Sequence, residues 1–255
     1  MLRELSRVIV AIMLRNIRTR FFAHGLGFLV SIGFPLVHIG ILLMLNAFFD
    51  RAPPYGDSLV LFYASGLLPF MAWMYMSRYI MVTVFNTRLL LAFPAVKIFD
   101  LCLAGALLEL LSSCLMAIVL GLVLASLGIN VWPPDPIEAA LAFGMALLLG
   151  LGFGILFALI MMALPMMGTA IGLFVIFMYL ISGIFFLPDA LPEGLRYYLS
   201  FNPVLQTVEW MRSAYYEGFG AVVLDKPYTV SWAVALLFVV LASERVFRGH
   251  LLLLK

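Results

Sequence analysis

Between Ala139 and Pro188 the chain runs for fifty residues without one Asp, Glu, Lys or Arg. A helix needs about 20 mainly apolar residues to cross the hydrocarbon core of a bilayer. Fifty is too long for one crossing and fits two, with Pro165 and Gly168 supplying the break. Similar runs occur at Phe21–Phe49, about Ser58–Ser77, about Leu101–Leu127 (interrupted only by Glu109) and Pro227–Ser243, where Trp232 can anchor an interface. The pattern predicts an all-α integral membrane protein with six transmembrane helices. Composition agrees: 65% of residues are hydrophobic and 11% charged, against roughly 45–50% apolar and about 25% charged in a soluble domain. Too little polar surface exists to coat a water-soluble enzyme, and too much apolar mass is present for a disordered chain.

An even number of spans puts both termini on one side, and the bias of Lys and Arg in short loops says which. Arg3, Arg7, Arg15, Arg18 and Arg20, then Arg78, Arg88 and Lys97, then Arg245, Arg248 and Lys255 fall on one side. Only Arg51, Arg196, Arg212 and Lys226 fall on the other. Both termini are therefore expected in the cytoplasm. The N-terminal apolar run of 29 residues exceeds the h-region of a cleaved signal peptide, so none is expected. At 100° per residue Arg3, Glu4, Arg7, Arg15 and Arg18 share one arc, opposite Leu2, Leu5, Ile9, Ile12 and Met13, with Leu14 the exception. This reads as an interfacial amphipathic helix over 1–20. Its basic face is either a positive-inside anchor or part of the reception of an anionic substrate.

Several chemistries are missing. A phosphate-binding loop requires Lys directly after Gly, and Lys97, Lys226 and Lys255 follow Val96, Asp225 and Leu254. No ATP hydrolysis by that mechanism, no catalytic residue and no bound cofactor are expected of this chain. His24, His38 and His250 have no metal-ligand neighbours, so no metal site is expected, and His24 and His38 read as membrane-interface or interhelical hydrogen-bonding groups. Cys102 and Cys114 lie in one run and read as small core residues. Gly150/Gly154 and Gly168/Gly172 both have the spacing that lets helix backbones approach closely, so both are expected at packing contacts.

Glu109, an acid well inside a span, is either a paired structural group or a member of a proton relay. Trp73, Tyr75 and Tyr79 flank the end of the second span, and Tyr197, Tyr198, Trp210, Tyr215 and Tyr216 fill the last outer loop. They fit an interfacial aromatic belt or a stacking surface for sugar rings. The segment 87–100 places Leu89, Leu90, Leu91 and Phe93 among Arg88, Lys97 and Asp100 around Pro94. That pattern suits a short helix docked on a protein partner, or one lying on the membrane. The outer segment 189–226 has helical apolar spacing broken at Asn202-Pro203, which predicts two short helices dipping into the outer leaflet.

Taken in order, Leu14-Arg-Asn-Ile-Arg-Thr-Arg-Phe21 with Leu26-Gly27, Gly66-Leu-Leu-Pro-Phe70 and Phe93-Pro-Ala-Val-Lys-Ile-Phe-Asp100 are followed by Ala106-Leu-Leu-Glu109 and Leu199-Ser-Phe-Asn-Pro203 with Glu209 and Arg212. This succession resembles the ABC-2 type permeases that export polysaccharide, and among them the inner-membrane permease of Gram-negative capsule export. The resemblance covers nearly the whole chain. It departs at Val30 and Phe34, where such permeases often carry Trp and an acid.

The resemblance implies a single transmembrane domain over 1–255 in the bacterial inner membrane. It implies a homodimer with two ATP-binding cassette subunits, on which ATP and Mg would sit, and a periplasmic adaptor with an outer-membrane exporter. Segment 87–100, with Arg88, Leu89, Leu90, Leu91, Phe93, Pro94 and Lys97, would couple to the ATPase, and 1–20 would gate the cytoplasmic entrance. Residues around Leu195–Gly218 would form outer re-entrant helices, with Asn202, Pro203, Glu209 and Arg212 in structural roles. The cargo would be a lipid-linked acidic polysaccharide, met by Arg15, Arg18 and Arg20 and passed along aromatic walls. Nucleic acid is not expected as a partner. Other cargoes (O-antigen, a teichoic-acid-like polymer, a drug) remain open within the class, as does an ion-coupled carrier centred on Glu109.

Overall fold

The computed structural model describes residues 9–16, 26–48, 52–87, 97–220 and 222–253. Arg18, Arg20, Arg88, Leu89, Leu90, Leu91, Phe93 and Pro94 lie outside them. The described residues form α1 (9–16), α2 (Leu26–Phe48), α3 (Leu59–Asn86), α4 (Ile98–Ser126) and α5 (Pro136–Ala163). After these come α6 (Met167–Ile181), α7 (Glu193–Ser200), α8 (Pro203–Tyr215) and α9 (Lys226–Leu253). Among the described residues, four stretches are long and apolar enough to cross a membrane: α3, α4, α5 and Lys226–Ser243 of α9. At 15 residues, α6 spans about 22 Å, short of the roughly 30 Å of hydrocarbon.

Local chemistry fixes where these helices begin. Ser58 Oγ accepts the Leu61 N–H at 3.3 Å to cap α3, and the Lys97 N–H donates to Asp100 Oδ2 at 3.0 Å to open α4. Asp135 Oδ1 accepts the Glu138 N–H at 3.1 Å, with Pro136 at the first helical position of α5. The fifty-residue uncharged run does divide into two helices, separated at Leu164–Met166 by Pro165, which cannot donate to a helical ladder.

Two boundaries differ from the sequence reading. α3 continues nine residues past Ser77, so Arg78 and Tyr79 ride on the helix and not in a loop. α9 runs to Leu253, beyond the uncharged stretch. In both cases backbone hydrogen bonding carries the helix past the apolar zone, since hydropathy marks the membrane and not the helix end.

At the centre, α5 packs along α3, with α8 and α9 against its other sides, and α2 and α4 lie beyond α3. The α3–α5 contact is close because Gly150 and Gly154 carry no side chains. A Cβ at Gly150 would stand 2.8 Å from both the Trp73 carbonyl and Met76 Cβ. One at Gly154 would stand 2.7 Å from Ile80 Cβ and 2.8 Å from the Ser77 carbonyl. The second glycine pair behaves otherwise. Among the described residues, a Cβ at Gly172 meets nothing within 4 Å and one at Gly168 only the Met161 side chain, so no close helix contact is made there among them. Most of α6 faces outward, with Leu173, Ile176, Phe177 and Leu180 each more than half exposed.

Candidate functional site

Segment 189–226 does hold two short helices, α7 and α8, divided at Asn202-Pro203 as the spacing predicts. Asn202 Oδ1 accepts the Val204 N–H at 2.9 Å and caps α8, while its Nδ2 donates to Ser182 Oγ at 3.3 Å. Ser182 closes α6, and the chain then turns at Gly183 with a φ of +73°, a conformation that favours glycine. This turn leaves two carbonyls pointing at α8. Arg212 takes both: Nη1 donates to Gly183 O at 2.7 Å and Nη2 to Ile184 O at 3.0 Å.

Arg212 is completely buried. Its guanidinium lies 3.8 Å over the Phe62 ring of α3, and Nη2 also reaches Phe62 O at 3.5 Å. Gly66 makes the room, since a Cβ there would stand 2.6 Å from Arg212 Nη2. Glu209, equally buried one turn earlier, has Oε1 3.7 Å from Arg212 Nη1 and no hydrogen-bond partner among the described residues. Burial pushes its carboxyl up to about 7 against the pull of Arg212. Burial lowers Arg212 only to about 10, so it stays cationic at neutral pH. One side chain thus ties α8 to the end of α6 and to α3.

A second knot lies beside it. Gln206, 1% exposed, donates to Ser200 O and Val223 O at 2.8 and 2.9 Å and accepts the Asp225 N–H at 2.8 Å. Trp210 donates through Nε1 to Glu138 Oε2, and the same oxygen pairs with Lys226 Nζ at 2.8 Å, joining the starts of α5 and α9. Sequence reasoning missed Gln206, Phe62 and the role of Gly66. The available signal was the polar series Gln206, Glu209, Arg212 at three-residue spacing on a helix otherwise packed inside the protein.

The remaining path candidates are scattered. Tyr197 and Tyr198 stand exposed on α7 at 60% and 75%. Trp210 is nearly buried, and Trp73 is fully buried between Phe70 and Phe153, with ring centroids 5.4 and 5.5 Å away. Tyr75 and Tyr79 are half-buried on α3, on either side of Ser77. Arg15 is half-buried on α1 and donates to Asn16 Oδ1 at 3.2 Å. Lys97 caps α4, and Glu109 is 3% exposed on that helix. His38 shares a hydrogen bond of 3.0 Å with the Tyr179 hydroxyl, linking α2 to α6 as expected of an interhelical group. His24 lies outside the described residues.

The chain is 28% identical over 243 residues to the polysialic acid transport protein KpsM of Escherichia coli, covering 95% of this chain and 94% of that one. It is 26% identical over 225 residues to the capsule polysaccharide export inner-membrane protein CtrC of Neisseria meningitidis serogroup B, covering 88% and 84%. The model of the ABC-2 type transporter family matches residues 7–216, taking in every helix from α1 to α8, and the chain belongs to that family.

Proposed function

We propose that this chain is the membrane-spanning subunit of an ABC exporter that moves a lipid-linked, acidic capsular polysaccharide across the bacterial inner membrane. The observation that carries this reading is the similarity along 95% of the chain to a polysialic acid transport protein. In this reading the chain crosses six times, α2 and α6 included, with both termini cytoplasmic and α7 and α8 dipping into the outer leaflet. Two copies assemble with two ATPase subunits, which hold ATP and Mg, and a periplasmic adaptor and outer-membrane exporter carry the polymer onward. The absence of Gly before any of the three lysines supports a separate motor. Arg15, Arg18 and Arg20 attract phosphate or sugar carboxylates at the entrance, and the exposed Tyr197 and Tyr198 offer sugar-stacking faces at the exit.

Purification from the native host in mild detergent tests the assembly. An ATPase is expected at one copy per permease. A lone protein whose transport follows the proton gradient would replace this reading with an ion-coupled carrier, and Glu109→Gln would then abolish transport. Segment 87–100 carries a second expectation. Replacing Leu89, Leu90 and Leu91 by Ser removes the apolar surface offered to the ATPase. Export should fall to background while the permease still inserts, as read by surface capsule against membrane abundance. Unchanged export would remove the coupling role from that segment.

A further inference from the structure

The Gly168/Gly172 pair, where an added Cβ would meet only the Met161 side chain among the described residues, borders a cavity of about 340 Å³ between α3 and α6, floored by Phe157 of α5. Gly168, Gly172 and Val175 line one side and Ser77 and Arg78 the other. Arg78 is exposed, and among the described residues it makes no hydrogen bond or ion pair. It stands 19 residues after Leu59, so at 1.5 Å per residue it lies about 28 Å along α3. That length matches the roughly 30 Å of hydrocarbon and sets Arg78 at the phosphate level of the opposite headgroups. A cation at that level, beside an apolar slot, is placed to pair with a lipid phosphate.

The rest of the cavity fits the same ligand. Gly168 is the second residue of α6, and its bare backbone lies on the cavity wall across from Arg78. Toward the membrane interior the walls turn apolar, with Phe157, Val175 and Ile176. A cation at one lip, above an apolar slot that two glycines keep open, matches an anionic head on a hydrocarbon tail. We infer that this notch holds the phosphate of an anionic lipid at the cytoplasmic headgroup level, with Arg78 as its counter-ion and the Gly168/Gly172 face as its seat. Placing that level on the cytoplasmic side rests on the orientation given under the proposed function.

Native mass spectrometry of the full-length protein in mild detergent tests the site. The probes are phosphatidylglycerol and phosphatidylcholine of identical acyl chains. The wild type should retain phosphatidylglycerol preferentially. Arg78→Gln should lower that preference about tenfold, the value of one charge-assisted contact, whereas Arg78→Lys keeps most of it. Gly172→Leu should lower retention without loss of folding, because its first added carbon meets nothing within 4 Å. Arg196→Gln, on exposed α7, should change nothing. Equal preference in wild type and Arg78→Gln would overturn the site, and so would displacement of the lipid by inorganic phosphate alone. A phosphate-bearing glycolipid that displaces phosphatidylglycerol identifies the source as cargo, and one that fails to do so identifies a resident membrane lipid. The measurement needs neither ATPase nor polymer, so it separates failure of this site from failure of the export reading.

Discussion

Arg212→Leu is expected to loosen the outer cap and abolish transport. The substitution removes the donors that hold Gly183 O at 2.7 Å and Ile184 O at 3.0 Å, and it leaves Glu209 buried beside no cation. Each buried carbonyl left without its donor costs about 1–3 kcal/mol, together a large share of the roughly 5–15 kcal/mol that holds an ordinary domain together. Arg212→Lys should recover little, because an ammonium cannot reach both carbonyls while lying flat on the Phe62 ring. The double variant Glu209→Leu with Arg212→Leu should regain part of the loss, since the buried carboxyl left without a partner is then replaced by an apolar side chain. Gly66→Ala should reproduce a milder form by displacing the guanidinium from its place 2.6 Å away. Thermal unfolding of the purified protein, read beside capsule export, checks all four. An Arg212→Leu protein that melts at the wild-type temperature would show that the cap does not depend on this tie.

Gly154→Leu should have the second large effect, through assembly of the bundle. Helices in a bilayer associate through close packing, because lipid tails are as apolar as the helices themselves. A single Cβ at Gly154 would overlap Ile80 and the Ser77 backbone, and one at Gly150 would overlap Met76 and the Trp73 carbonyl. Neither contact relaxes cheaply, since a carbonyl cannot rotate away without breaking its helix. Overpacking of this kind costs about 3 kcal/mol at each position, and the double variant should leave little monodisperse protein in size-exclusion chromatography. Gly144→Leu, on the same helix with nothing within 4 Å, is the matched control. Equal yields from Gly154→Leu and Gly144→Leu would mean that α3 and α5 are not held together by this seam.

Much of the architecture was legible before any coordinates. Pro165 divided the long apolar run, Asn202-Pro203 divided the outer segment, and both breaks occur where the side-chain chemistry demands them. Arg78 was misplaced into a loop, because hydropathy reports where the membrane ends while the hydrogen-bond ladder of α3 runs on to Asn86. Trp73 read as an interfacial aromatic and is fully buried, since the face of α3 that carries it is covered by α5. Arg212 could be singled out by resemblance, but its acceptors lie 28 and 29 residues earlier in the chain, and no local pattern points to them.

The two glycine pairs mark the boundary most clearly. Gly150/Gly154 and Gly168/Gly172 have the same spacing, in the same uncharged run. By itself the sequence determined that each pair leaves one helix face bare enough for a close approach. Only the tertiary structure decided what approaches. The backbone of α3 fills the first face, while the second lines an open notch beside Arg78. Spacing is a property of a single helix, and occupancy is a property of its neighbours.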